Sequence, residues 1–157
     1  MSAPAFAVRP QSEMEWEELL VRYEIGPRAL GLALDDGDPA GPARERVGDL
    51  LRALVANELR TAALFEAMRT GTPPSADGAP RMEILDSEPR AILQRYAQLR
   101  GRNFAAVQRR GLEVWTWHTQ AHPHGDVSAY QLIQASCALD GDSLAAAREA
   151  LRGAGAC

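Results

Sequence analysis

The sequence predicts an all-α protein that folds as an antiparallel four-helix bundle. Four long segments carry apolar residues at helical spacing, and stretches rich in Gly, Pro and Asp separate them. No pair of segments has the alternation and turn residues of a β-hairpin. Four amphipathic helices of this size pack most economically as a bundle. We therefore expect a short tail over residues 1–11 and one domain over 12–153.

The first helix is predicted over residues 12–34. Ser12 is placed to cap it, and acidic residues follow in the first turn, where the helix dipole favours them. Pro27 lies inside the pattern and removes the hydrogen bond that its amide would make to Tyr23, so we expect a kink or break there. The predicted buried positions are Trp16, Leu19, Leu20, Tyr23, Leu30 and Leu34.

The second helix is predicted over residues 43–70, after a loop over 35–42 that is rich in turn residues. Gly71 ends it. A carboxylate, Glu58, falls on the apolar stripe of this helix, which makes it the most unusual polar residue of the chain. The other members of the stripe are Val47, Leu51, Leu54, Ala62 and Phe65.

The third helix is predicted over residues 88–110, with Ser87 as its cap, Pro89 in its first turn and Gly111 just beyond its end. Leu112 to Thr119 is aromatic and has strand-like composition, so a local departure from the helical prediction is most expected there. The predicted buried face of the helix comprises Ile92, Leu93, Tyr96, Leu99, Asn103 and Val107.

The fourth helix is predicted over residues 126–152, after a turn at His122–Gly125 and with Asp126 as its cap. Gly141 lies in its interior and costs about 1 kcal/mol relative to alanine. Apolar residues keep a helical spacing on both sides of Gly141, and this favours one continuous helix over two short ones.

Composition excludes several classes of protein. The net charge of -4 over 157 residues argues against nucleic-acid binding, and all 17 basic residues are arginine, which leaves no lysine for Schiff-base chemistry. The longest apolar runs fall far short of the ~20 residues of a membrane span, and no signal peptide is recognised. Cys137 and Cys157 are too few for a disulfide framework. We expect a reduced, cytoplasmic setting.

Four short motifs occur in an order that resembles the DinB-like (DinB/YfiT) family, four-helix bundles regarded as metalloenzymes. The resemblance covers nearly the whole chain. The motifs are Arg9-Pro10 with Glu13 and Tyr23; Leu50 to Arg60 with Glu58; His122-Pro123-x-Gly125-x-Val127 with Gln131-Leu132; and Ala138-x-Asp140-x-x-x-Leu144.

The resemblance implies a divalent metal such as zinc or nickel, held by three histidines between the helices, and a homodimer. It also implies thiol-dependent transferase or isomerase chemistry for members with the full triad. In this chain the three ligand positions hold Ala53, Leu139 and Ser143. Methyl, isobutyl and hydroxyl side chains do not bind such a metal in the usual way, so we expect no metal or other cofactor here.

Glu58 has two interpretations. It is a general base or substitute metal ligand, or it is a buried carboxylate paired with an arginine. Arg100 and Arg102 of the third helix are placed to reach it, and Asn57 to help hold its oxygens. Pairing is favoured because acidic residues are rarely buried without a partner.

The remaining candidates each have a structural alternative. Cys137 is expected to be a packed small residue, because no cation or helix N-terminus lies beside it. Ser143 has no nearby histidine–acid pair and is expected to bond to its own helix. The histidines 118, 122 and 124 could chelate a metal, or face solvent and shape the loop. The candidate pocket-lining residues are Asn57, Glu58, Asp140, Trp115, Trp117 and His122, the two tryptophans being favoured as lids over the end of the core.

Three functions follow as hypotheses. The favoured one is a metal-free DinB-like module that binds a small molecule or a partner and forms a homodimer. The second is an enzyme that replaces the metal with Glu58, Asn57, Asp140 or a thiol cosubstrate. The third is a metal protein with displaced ligands from Glu58 and the three histidines, His118, His122 and His124.

Overall fold

The computed structural model describes residues 6–35, 39–73, 88–122 and 125–154. Four long helices make up most of it, and the prediction of an all-α protein is confirmed. Their bounds are α1 (Glu13–Asp35), α2 (Gly41–Thr70), α3 (Pro89–Gln108) and α4 (Ala129–Ala154). Between α3 and α4 lie a 3₁₀ helix (Gly111–Thr116) and two short strands, β1 (His118–His122) and β2 (Gly125–Ser128).

Each long helix packs against two others, in the cyclic order α1, α4, α2, α3. Two hydrophobic clusters fill the interior. The first joins the early residues of α1 and α4 to the late residues of α2 and α3, and the second joins the opposite ends. The helices therefore run parallel within the pairs α1/α4 and α2/α3, and antiparallel between them. The predicted antiparallel arrangement holds only between the pairs.

The start of α1 is as predicted, but its interior is not interrupted. The Glu15 amide donates to the Ser12 hydroxyl at 3.1 Å, which makes Ser12 the cap. The helix then runs unbroken through Pro27, which is buried. Of the predicted kink or break, the break is wrong: the helix is continuous, and a buried donor from α3, described below, contacts the carbonyl that Pro27 leaves free.

The ends of α2 and α3 differ from the predicted bounds by a few residues. Helix α2 begins at Gly41, two residues early, and Gly71 ends it in the left-handed conformation with φ 70°. Glu88 holds the N-cap position of α3, and Ser87, the predicted cap, lies outside the described residues. Gly111, with φ 56°, follows α3 and leads into the 3₁₀ helix.

The expectation that no strand pair forms is wrong. β1 and β2 form an antiparallel hairpin in which His118 pairs with Ser128, with an irregularity nearer the turn. Asp126, the predicted cap of α4, lies in β2 instead. Ser128 caps the helix: its hydroxyl accepts from the Gln131 amide at 3.1 Å, and the Gln131 side chain accepts from the Ser128 amide at 2.9 Å. This reciprocal capping box sets the start of α4.

Helix α4 is continuous through Gly141, as predicted. Gly141 is exposed, so its cost is one of helix propensity alone. None of the described helices combines the length and the apolar composition needed to cross a lipid bilayer.

Candidate functional site

A buried arginine lies where the four long helices meet. Arg100 of α3 is 1% exposed and contacts a residue from each of the other three helices. We call it and its partners the Arg100 cluster, whose members are Tyr23 of α1, Glu58 of α2, Tyr96, Arg100 and Asn103 of α3, and Asp140 of α4. Two of its members also belong to the hydrophobic clusters, Tyr23 to the first and Tyr96 to the second.

Glu58 is fully buried and fully engaged. Arg100 donates to its Oε1 from Nε at 2.8 Å, and Nη2 lies 2.7 Å from the same oxygen. Asn103 donates to Oε2 at 2.8 Å, and Tyr23 donates to Oε2 at 3.3 Å. The predicted pairing of Glu58 with an arginine of the third helix is confirmed for Arg100.

Two details of that prediction are different. Arg102 is exposed, because the helical turn places it on the outer side of α3. Asn57 does not hold Glu58: it donates to the Ser136 hydroxyl of α4 at 3.1 Å. The amide that holds Glu58 belongs to Asn103, whose Nδ2 also donates to the Glu58 carbonyl at 3.0 Å.

Asp140 takes the other side of the guanidinium. Arg100 donates from Nη1 to Oδ2 at 2.7 Å and from Nη2 to Oδ1 at 3.0 Å, the two-pronged geometry in which arginine binds carboxylates most strongly. The Tyr96 hydroxyl donates to Asp140 Oδ1 and accepts from Arg100 Nη2 at 3.0 Å. Asp140 is therefore bound by two side chains of α3.

The sequence Gly26-Pro27 shapes the wall that α1 presents to the cluster. Because Pro27 has no N–H, the Tyr23 carbonyl lacks its helical partner, and Arg100 Nη1 donates to it at 2.6 Å. A Cβ at Gly26 would lie 2.3 Å from Asp140 Oδ2, so only glycine allows Asp140 to approach this closely. The guanidinium carbon also lies 4.2 Å from the centre of the Tyr23 ring, a cation–π contact.

The pKa values of Arg100, Tyr23 and Tyr96 are all raised within the cluster. Burial lowers the pKa of Arg100, but its hydrogen bond to Asp140 and the charge of Glu58 outweigh burial, so the pKa is raised. Burial raises the pKa of Tyr23 and Tyr96, with the nearby carboxylates adding to the effect. Arg100 therefore stays a cation, and both phenols stay hydrogen-bond donors.

Every charged group of the cluster is hydrogen-bonded within this chain. All nitrogens of the guanidinium donate to groups of this chain. Both oxygens of Glu58 and both oxygens of Asp140 accept hydrogen bonds. The hydrogen bonds of Arg100 join α3 to each of the other three long helices.

The three positions that the family resemblance assigns to metal ligands have different surroundings. Ala53 is exposed, Leu139 is half-buried against the second hydrophobic cluster, and Ser143 is buried. Their side chains do not fit a transition metal, and the carboxylates nearest to them in sequence, Glu58 and Asp140, already bind Arg100. Among the described residues, no group of three or more His, Cys, Asp or Glu side chains is arranged to hold a metal ion.

None of the tryptophans and histidines forms a hydrogen bond or ion pair with the Arg100 cluster in the described part of the chain. Trp117 is buried in the first hydrophobic cluster and Trp115 packs against it, as expected of lids over the core. The Trp115 indole N–H is buried without a hydrogen-bond partner in the described part of the chain. His122 is half-buried in β1, and His118 is exposed and lies 3.1 Å from Asp126 across the hairpin. His124 lies outside the described residues.

Cys137 is the free cysteine of the described residues and is half-buried on α4. Burial, with a smaller contribution from Asp140, raises the pKa of its thiol to about 11. Because the thiolate is the nucleophile, this raised pKa disfavours nucleophilic chemistry at Cys137, which packs against the first hydrophobic cluster. Cys157 lies outside the described residues.

Sequence reasoning missed part of the cluster. Tyr96 and Asn103 were assigned to the buried face of the third helix, and Arg100 lies between them, one turn from each. The sequence did contain a signal for the cluster. The buried face of α3 carries a cation and an amide, and the buried stripe of α2 carries a single carboxylate. Tyr23 and Gly26 gave no comparable signal.

A groove of about 330 Å³ runs between α1 and α3 beside the Arg100 cluster. Apolar and small groups form most of its wall, and charged side chains lie at its edge and base. The lining residues are Glu24, Pro27, Arg28, Leu93, Ala97, Arg100, Gly101 and Phe104. Its size falls at the lower end of the range for small-molecule sites.

Comparisons with known proteins do not add a functional assignment to this geometry. No family model, no curated protein and no solved structure matches this chain.

Proposed function

We propose that this chain is a DinB-like four-helix bundle that has the Arg100 cluster in place of a metal centre and works as a small-ligand-binding module without catalytic activity. The observation that carries the proposal is the closed hydrogen bonding of Arg100. Its donors go to Tyr23, Glu58, Tyr96 and Asp140 of the same chain. A residue so engaged holds a fold together and is not available to a substrate.

The groove between α1 and α3 supports the ligand-binding part of the proposal. Leu93, Ala97 and Phe104 give it an apolar wall of the kind that binds small molecules, and Glu24 and Arg28 supply charge at its edge. We propose a small apolar molecule with one polar or charged group as the class of ligand. The expected setting is cytoplasmic, in keeping with the unpaired thiol of Cys137.

Metal analysis tests the metal-free part. The protein is purified without chelators, incubated with Zn²⁺ or Ni²⁺ and dialysed, and its metal content is then measured by elemental mass spectrometry. We expect less than stoichiometric metal and an unfolding midpoint that Zn²⁺, Ni²⁺ and a chelator leave unchanged. Stoichiometric metal that is lost in Glu58→Gln or Asp140→Asn would overturn the proposal.

Dye binding tests the groove. A naphthalene sulfonate dye is titrated into the folded protein, and we expect saturable fluorescence enhancement. Ala97→Trp fills the groove and should weaken binding at least tenfold. Ala91→Trp, at an exposed alanine of α3 that does not line the groove, is the matched control and should bind as the wild type does. Equal binding by both variants, or no binding by wild type, argues against a ligand site here.

The enzyme hypotheses find less support in the geometry. A base at Glu58 or Asp140 would first have to leave Arg100. A metal site from displaced ligands would need Glu58 beside the histidines, but His118 and His122 lie on the hairpin and Glu58 is enclosed by α1 and α3. Turnover of a thiol-transfer substrate that Glu58→Gln abolishes without loss of stability would favour the enzyme.

A further inference from the structure

Helix α1 carries a stripe of large apolar side chains on the side that faces away from the core. Its members are Met14, Val21, Ile25 and Leu32, with exposed fractions of 68%, 55%, 49% and 61%. The intervals of seven, four and seven residues place them on one side of a helix, opposite the buried residues of α1. Exposed apolar residues in such a row indicate an interaction surface.

Two opposite charges complete this outer stripe. Glu18 lies one turn after Met14, and Arg28 lies one turn before Leu32, both exposed. Within the described part of the chain, neither of them makes an ion pair or a side-chain hydrogen bond. Along the stripe, one apolar residue is followed by an acid, then by two apolar residues, a base and a last apolar residue.

The stripe is symmetric about Tyr23. Met14 and Leu32 are equally far from that residue, as are Glu18 and Arg28, and Val21 and Ile25. An antiparallel copy of the same helix would thus place each apolar residue opposite an apolar one and each charge opposite its counterion. This is the self-complementarity that a two-fold interface requires.

We propose that α1 is the interface of a homodimer, in which two copies cross antiparallel about a two-fold axis near Tyr23. Val21 of each copy packs on Ile25 of the other at the centre, and Met14 packs on Leu32 at each end. Glu18 of each copy pairs with Arg28 of the other. The contact extends over roughly five turns, about 27 Å at 1.5 Å per residue.

Charge fixes the direction of the pairing. In a parallel pair Glu18 would face Glu18 and Arg28 would face Arg28, and like charges at a helix interface oppose association. In an antiparallel pair Glu18 of each copy faces Arg28 of the other, and both contacts are attractive. The step of 18 residues from Met14 to Leu32 makes five turns at 3.6 residues per turn, so the whole stripe stays on one side of a straight helix.

Sedimentation velocity tests the proposal over a range of protein concentrations. We expect wild type to associate reversibly into a species of twice the mass of one chain. Ile25→Glu should give the monomer throughout, because it puts a carboxylate at the apolar centre. Leu112→Glu, at a similarly exposed apolar residue of the 3₁₀ helix, is the control and should dimerise as wild type does. A monomeric wild type, or a dimer of Ile25→Glu, would overturn the proposal.

A charge swap tests the antiparallel register. Glu18→Arg and Arg28→Glu should each weaken the dimer at least tenfold, because each puts like charges opposite one another. The double variant Glu18→Arg/Arg28→Glu restores opposite charges and should recover wild-type association. Failure of the double variant to recover would exclude this register. The sedimentation test with Ile25→Glu changes no residue that lines the groove, so its outcome is separable from the metal and dye tests of the proposed function.

Discussion

Arg100 illustrates how much of this protein depends on one side chain. A buried ion pair is not by itself evidence of high stability, because the cost of removing two charges from water can exceed their attraction. Here one guanidinium meets two carboxylates, two phenols and a backbone carbonyl. The contacts span all four helices, so their main effect is to fix the relative positions of the helices. Breaking one contact leaves the others with buried, poorly compensated charge.

Glu58→Gln should destabilise the fold by about 1–3 kcal/mol, because it weakens a charge-assisted hydrogen bond and replaces one acceptor oxygen with a donor. Chemical denaturation against wild type measures the change. The control is Glu66→Gln, at an exposed carboxylate paired with Arg69, which should leave the midpoint unchanged. An unchanged or raised midpoint for Glu58→Gln would contradict the structural role of Glu58.

Arg100→Met should cost more, about 3–5 kcal/mol, because it leaves Glu58 and Asp140 buried without a cation. Arg102→Met, two residues away on the exposed side of α3, is the matched control. Denaturant unfolding that gives equal values for the two variants would show that the buried ion pairs do not hold the helices together.

Among the elements, α1 carries two residues poorly suited to a helix interior, and both lie beside the Arg100 cluster. Gly26 and Pro27 both lower helix propensity. In return, glycine leaves room for Asp140, and proline leaves the Tyr23 carbonyl free for Arg100. The local weakness of α1 is therefore a requirement of its tertiary contact.

Gly26→Ala separates these two effects, because they predict opposite signs. Helix propensity alone predicts a gain of about 1 kcal/mol. The structure predicts destabilisation, since the new Cβ would lie 2.3 Å from Asp140 Oδ2. Gly141→Ala is the control: no atom lies within 4 Å of its added Cβ, so it should be neutral or stabilising by up to about 1 kcal/mol. Thermal unfolding measures both, and a stabilised Gly26→Ala would refute the close approach.

The capping box of α4 gives a second prediction for an element. Ser128→Ala should lower stability by about 0.5–2 kcal/mol, because it leaves the Gln131 amide without its acceptor. The hydroxyl also donates to the Val8 carbonyl, so the change should loosen the segment before α1. Ser128→Thr keeps a hydroxyl and should retain most of the stability. Equal loss in both variants would argue against the cap.

At the scale of the whole molecule, all three tyrosines are held in their neutral form. Burial raises the pKa of Tyr23 and Tyr96, and burial with the Glu15 carboxylate raises that of Tyr130 to about 12. The unfolded chain ionises near the ordinary value of 10.0, while the folded chain still holds its protons. The stabilisation that the three tyrosines contribute should therefore be fully present below pH 10 and decrease as the pH rises above 10.

Ultraviolet titration of phenolate checks this prediction. We expect no tyrosine of the native protein to ionise at its ordinary pKa, and a steep, cooperative ionisation where the fold is lost at higher pH. The same titration in denaturant should show three ordinary tyrosines and serves as the control. A native tyrosine that titrates near pH 10 would contradict the burial of that side chain.

The sequence by itself determined the number and approximate bounds of the helices, the buried position of Glu58 and the continuity of α4 through Gly141. These follow from local rules, since helical periodicity and caps involve residues within a few turns. Two of its errors were local too. The hairpin lacks alternating apolar residues, so the periodicity did not reveal it, and Ser128 outcompeted Asp126 as a cap because Gln131 completes a capping box.

Only the tertiary structure decided which groups meet. Tyr23 and Arg100 lie 77 residues apart, and Arg100 and Asp140 lie 40 apart, so no short-range pattern pairs them. Glu58 pairs with Arg100 and not with Arg102 because of the way α3 is rotated about its axis. It is held by Asn103 and not by Asn57 because the side chain of Asn103 faces it from α3, while Asn57 turns towards α4. Buried charges must find counterions within hydrogen-bond reach, and that reach is set by how four helices pack.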